Sequence, residues 1–238
     1  MNTCRNCAAE FETKYCPECG TSAQIKRIDR HYVVHELQHG ILHFEKGFLF
    51  TVKELLTRPG HSIRKFIEGD RAKHYKPIGF LIICSIIYSF VSHYIGKYNT
   101  VVTVDKGYVD KLSQWIIDHY NYSNIIEMFF LALTVKWFFR KKGYNYFENF
   151  VLLSYLTGLG MLIGVIFLVI DYLAKTDTLQ TVYLPLTIVY TVWAIGQFFN
   201  ERKWMVYLKA LLAYLLGFFM FMLSVNLLGI FLNVILKK

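Results

Sequence analysis

Apolar residues change their spacing twice along this 238-residue chain, and each change marks a different kind of element. Residues 1–23 are mostly polar and carry four cysteines. From Ile28 to Leu56, Val33, Leu37, Ile41, Phe44, Phe48, Val52 and Leu55 recur at three- and four-residue steps, the period of one helix face. Gly40 and Gly47 interrupt that face, so two or three short helices are expected rather than one rod. Pro59-Gly60 breaks the chain again, and Ile63, Phe66 and Ile67 give a further short helix one apolar side before Gly69 ends it. Beyond Lys76 the apolar residues run together in long blocks.

Those blocks predict membrane spans at 77–95, 124–139, 150–170, 182–199 and 208–235. The first, 19 residues from Pro77, measures about 28 Å as a helix and fits a bilayer core. The expected fold is therefore membrane all-α, with about five transmembrane helices behind a small zinc ribbon (1–23) and basic amphipathic interfacial helices (24–76); the multi-pass domain covers 77–238. The last span is too long for an untilted crossing, and a re-entrant second segment would make the number of crossings even. The polar stretch around Trp115, between the first two spans, is too short for a separate domain.

A hydrophobic share of 55%, a charged share of 18% and a mean hydropathy of +0.34 exclude a disordered chain and argue against an ordinary soluble domain. The 26 Lys+Arg against 17 Asp+Glu leave a net charge of +9. With the N-terminus inside, 20 of the 26 cations fall on the inner side and six outside, which satisfies the positive-inside rule with the C-terminus out. Arg64, Lys65, Arg71, Lys73 and Lys76 crowd the approach to the first span. Such a collar attracts anionic lipid of the cytoplasmic leaflet at about 1 kcal/mol per basic residue.

Within the spans, Glu127 and Lys136 are nine residues apart, a rotation of about 900° that points them to opposite faces. Either each snorkels from its end of the helix, or one joins a polar site inside the bundle with Asn226. Gly160-x3-Gly164 and Ser85-x3-Ser89 are small-residue faces that permit close helix approach.

Four of the five cysteines form two pairs, Cys4-x2-Cys7 and Cys16-x2-Cys19, separated by eight residues. Two such knuckles suit a tetrahedral zinc ion, because each turn presents two thiolates and the second pair closes the shell. Pro17 and Gly20 supply the tight-turn chemistry of a knuckle. A disulfide pair, a redox dithiol and an iron-binding knuckle site are the rivals. No signal peptide precedes Cys4, so a reducing compartment is expected. Four protein ligands make the zinc structural, not catalytic, and a module this small folds only around its metal. Between Cys4 and Cys19 stand Arg5 and Lys14 against Glu10, Glu12 and Glu18, which leaves no footprint for nucleic acid and favours a protein partner.

His31, His35, His39 and His43 stand four residues apart, so each is displaced by about 40° around a helix. They are polar residues of a wet interfacial face, or a second metal site, or a protonatable row that meets lipid phosphates.

The string Lys46-Gly47-Phe48-Leu49-Phe50-Thr51-Val52-Lys53-Glu54-Leu55, then Arg58-Pro59-Gly60-His61-Ser62-Ile63-Arg64, Phe66-Ile67-Glu68-Gly69-Asp70-Arg71 and His74-Tyr75-Lys76-Pro77, together with the cysteine pairs, resembles a bacterial membrane family known only as domain of unknown function 3667. The likeness covers roughly the first third of the chain. It implies a zinc ribbon ahead of a multi-pass body in the bacterial inner (cytoplasmic) membrane, and brings no catalytic residues. Five spans with the N-terminus in also resemble Yip1-type proteins, by architecture alone.

Three functions follow as expectations. The first is a non-enzymatic scaffold or recruitment protein whose ribbon and collar bind a protein partner or anionic lipid. The second is a small-solute or ion transporter that uses Glu127, Lys136 and Asn226. The third is a membrane-surface lipid enzyme that uses the histidine row with Glu36 or Glu45, although no nucleophile-plus-base signature or phosphate cradle supports it.

Overall fold

A computed structural model describes residues 2–4, 7–20, 22–23, 27–39, 47–71, 73–95, 107–176, 178–199 and 204–236. The ribbon opens with β1 (Asn2–Thr3) and β2 (Glu10–Phe11), which pair antiparallel with Asn2 opposite Phe11. Three short helices follow: α1 (Arg30–His39), α2 (Phe48–Thr57) and α3 (Pro59–Glu68). The body comprises α4 (Pro77–Ile95), α5 (Tyr108–Asp118), α6 (Tyr120–Phe138), a 3₁₀ turn (Arg140–Lys142), α7 (Tyr146–Ala174), α8 (Thr178–Phe198) and α9 (Trp204–Leu236).

Four helices, over Pro77–Ile95, Tyr146–Ala174, Thr181–Phe198 and Trp204–Ile235, are long and apolar enough to cross a membrane. α6, the expected second span, is not among them, yet the packing requires it to traverse the bundle. α4 and α7 lie parallel: a Cβ on Gly158 would meet Phe80 and one on Gly164 would meet Tyr88, so residue numbers rise together along the pair. Parallel neighbours need a return pass between them. α6 supplies it, since Lys136 lies beside Tyr144 and the Phe129 ring lies 5.1 Å from that of Phe150, the antiparallel order. α8 then runs back against α7, with Tyr183 donating to the Gly160 carbonyl and Tyr144 against Phe198. α9 turns once more, with Leu131 and Thr134 crowding Gly217 and Phe130 near Phe221. One end of the bundle therefore gathers α3, the start of α4, the end of α6, the 3₁₀ turn, the start of α7, the end of α8 and the start of α9.

The segment before Tyr122 departs from expectation. Val109, Leu112 and Ile116 give residues 108–118 a helical period, and α5 forms there against the far end of α9, where a Cβ on Gly229 would overlap Val109. The Tyr108 N–H donates to Asn233 Oδ1 at 2.8 Å, which closes the first turn of α5. Among small residues, a Cβ on Gly158 or Gly164 would crowd a neighbouring helix, whereas a Cβ on Gly160 would meet only Thr187 at 3.9 Å.

The largest buried core follows α4 and α7 and extends into the short helices through Phe48, Leu55, Ile63, Phe66 and Ile67. α9 by contrast exposes Leu215, Phe219, Leu227, Phe231 and Val234. A helix apolar on its outward side is what lipid contact demands.

Candidate functional site

In the ribbon the two knuckles repeat one local geometry. The Ala8 N–H donates to the Cys4 carbonyl at 2.9 Å, and the Gly20 N–H to the Cys16 carbonyl at 2.9 Å. The residue after each knuckle turns into the left-handed region, Ala8 at φ 59° and Gly20 at φ 73°. Glycine adopts that region freely, whereas alanine pays roughly 1 kcal/mol. The turns bring Cys4 Sγ within 3.4 Å of Cys19 Sγ and Cys7 Sγ within 3.5 Å of Cys16 Sγ, with all four sulfurs inside 4.8 Å of one another. A 2.3 Å Zn–S bond and tetrahedral angles place sulfurs about 3.8 Å apart, so the donor set and its spacing fit a metal ion such as zinc. The separations exceed the roughly 2.05 Å of a disulfide. The Ala9 N–H favours the Cys7 thiolate, but desolvation and the three neighbouring thiols outweigh it and push the Cys7 pKa up to about 12. The Cys7 thiol thus resists ionising without a cation to receive it.

Between ribbon and bundle, Arg27 forks onto Glu148, with Nε and Nη2 at 2.8 and 2.9 Å from its two oxygens. Glu148 also closes a capping box at the start of α7: it accepts the Asn145 N–H at 2.7 Å while Asn145 Oδ1 accepts the Glu148 N–H at 2.8 Å. The Asn145 amide donates to the Ile28 carbonyl, so one helix start holds the connector twice. Sequence reasoning missed this anchor, although Asn145-x2-Glu148 before an apolar run is its visible half.

α1 carries a second anchor. Glu36 is 4% exposed and its Oε1 accepts the Ile78 N–H at 2.9 Å, which caps α4 from another helix. Burial pushes the Glu36 pKa up to about 7, against the opposing pull of the Ile78 and Gly79 N–H groups. His31 and His35 are exposed and stacked at 6.3 Å, and both line a groove with Arg27, Asp29, Tyr32 and Arg71. His39 ends α1, and His43 lies outside the described residues.

The basic collar divides. Lys65, Lys73 and Lys76 are exposed. Arg64 turns inward and donates to the carbonyls of Phe198 at 2.9 Å and Gln197 at 2.6 Å, which closes the C-terminal end of α8. In return Gln197 Oε1 accepts the Gly60 N–H at 2.8 Å at the start of α3. Any Cβ on Gly60 would overlap the backbone of Gln197 and Phe198, so glycine alone permits this end-to-end contact. Arg71 sits 5.2 Å from the Tyr32 ring and 5.7 Å from the Phe66 ring, a cation held between aromatic faces. Ser62 and His74 bond at 2.7 Å in a buried pair beside Phe50 and Phe66, and desolvation holds the His74 pKa below its usual value. The motif residues 58–77 thus serve mainly to seat α3 and α4 against α7 and α8.

The intramembrane polar residues are not brought together. Lys136 Nζ donates to the Tyr144 carbonyl at the end of α6, and Asn226 donates to the Met222 carbonyl one turn back on the exposed side of α9. Glu127 is half-buried midway along α6.

Fold and site together define a multi-pass helical membrane protein with a four-cysteine cluster at its N-terminus that can hold a metal ion. Residues 45–89 match the model of a family described as a protein of unknown function (DUF3667). That stretch is α2, α3 and the first two-thirds of α4, the part where the Gly60, Arg64 and His74 contacts lie. No curated protein and no solved structure matches the chain.

Proposed function

We propose that this chain is a non-enzymatic recruitment protein of the cytoplasmic membrane, with its zinc ribbon in the cytoplasm as the docking module for a protein partner. The observation that carries the reading is the closed set of four sulfurs within 4.8 Å, which uses every tetrahedral position and leaves none for a substrate. Lys65, Lys73 and Lys76 add electrostatic attraction to the anionic leaflet beside it. The test compares metal content and copurifying proteins of the detergent-purified chain with those of a Cys16→Ser, Cys19→Ser variant. One zinc per chain, with zinc and partner both lost in the variant, is the expected result; partners that survive loss of the metal would sink the reading. Glu127 favours a second reading, a small transporter, since a carboxyl group midway along a bundle helix is costly without a use. Uptake unchanged by Glu127→Gln removes it.

A further inference from the structure

We propose that the groove between the end of α6 and the start of α9 binds the phosphodiester headgroup of an anionic glycerophospholipid. The groove has a volume of about 540 Å³ and is bounded by Trp137, Phe139, Arg140, Lys141, Lys142 and Lys209. Four cations converge there from two elements that are distant in sequence, three from the 3₁₀ turn and one from α9. No carboxylate lines it among the described residues. Basic pockets between helices at a membrane face have the chemistry for lipid phosphates.

Local packing holds this arrangement in place. Phe139 is stacked on Phe199 with centroids 4.0 Å apart and planes 5° from parallel, which fixes the apolar floor. Lys142 N–H donates to the Phe139 carbonyl at 2.9 Å, and Gly143 at φ 79° then reverses the chain, so the three cations form one compact turn. Lys136 takes no part, being bonded to Tyr144.

What favours a lipid over free phosphate is the surface leading away from the groove. Trp137 is 61% exposed, and Leu133 one turn earlier on α6 and Leu208 and Leu212 on α9 are exposed as well. An apolar strip that starts at a cluster of cations suits an acyl chain below its headgroup, and a half-exposed tryptophan is the residue found at that depth. A solvated phosphate has no use for the strip. The site is separate from the ribbon and the collar, and it stands if partner docking by the ribbon fails.

The experiment uses the full chain in neutral detergent, titrated with dihexanoyl phosphatidylglycerol or dihexanoyl phosphatidylcholine and followed by native mass spectrometry of the bound lipid. Binding of phosphatidylglycerol in preference to phosphatidylcholine is expected. Lys141→Gln, Lys209→Gln should weaken it about thirty-fold, the effect of two basic contacts. Lys53→Gln, Lys175→Gln, two exposed lysines outside both the groove and the collar, should leave it unchanged. Equal binding by wild type and the groove variant would overturn the proposal, as would equal binding of the two lipids. Displacement by millimolar inorganic phosphate would overturn the lipid assignment and leave a site for free phosphate.

Discussion

In the ribbon the buried core is Cys4, Phe11 and Cys16, whereas α2 and α3 bury Phe48, Leu55, Ile63, Phe66 and Ile67 against the bundle. Both segments are short, polar on one side and placed ahead of the spans. The ribbon closes on itself through sulfurs at most 15 residues apart in sequence. The α2–α3 elbow has local bonds, Arg58 to Glu54 and Ser62 to His74, but its seat is distant: Gly60 and Arg64 bond to Gln197 and Phe198, more than 130 residues away. A module held by a metal is autonomous and conditional on that metal; a module held by helix ends is conditional on the whole bundle.

The largest expected effect tests the autonomous half. Structural zinc contributes about 10–16 kcal/mol to such modules, so a strong chelator should unfold residues 2–23 and expose them to protease while the helical circular dichroism of the bundle persists. Loss of bundle helicity on chelation would mean that the ribbon is not autonomous. The elbow should respond in the opposite way. Gly60→Ala forces a methyl group into the α8 backbone, and a loss of at least about 3 kcal/mol, read as a lower Tm in detergent, is expected with metal content unchanged.

Glu36 sharpens the comparison through pH. Its pKa is raised to about 7 in the folded chain from an ordinary value near 4.5, so the folded state holds the proton more tightly than the unfolded one. Stability from this group is full below pH of about 4.5, falls as pH rises to about 7, and is flat above, a change of roughly 3 kcal/mol. Glu36→Gln should remove that slope, seen as the difference between wild-type and variant unfolding across the window. A variant with the wild-type slope would show that another group is responsible.

The smallest effect returns to the ribbon. Ala8 occupies the left-handed position that Gly20 fills in the second knuckle. Ala8→Gly should relieve roughly 1 kcal/mol of backbone strain and tighten metal binding about fivefold in a competition titration. No gain would mean that the first knuckle does not hold this φ in solution.

Much of the architecture is local and therefore readable. The Cys-x2-Cys spacing needs only short turns to gather four sulfurs, and the apolar blocks from Pro77, Phe150, Val182 and Leu208 lie within α4, α7, α8 and α9. α5 was also periodic in sequence but short, and its partner Asn233 lies 125 residues further along the chain. The collar shows where reading stops. Lys65 and Arg64 are adjacent and carry the same charge, yet Lys65 is exposed while Arg64 closes α8.

The chain alone determined most of the elements, the four-cysteine cluster and the apolar lengths, because hydrophobic period, cysteine spacing and helix rise act over a few residues. Tertiary structure decided which helices run parallel, that α6 must return between α4 and α7, and that Glu36, Gln197, Arg64, Asn145 and Asn233 satisfy helix ends or backbone carbonyls elsewhere in the chain. The physical reason lies in the terminal N–H and C=O groups of a helix, which have no partner within it and, away from water, must find one wherever packing supplies a side chain.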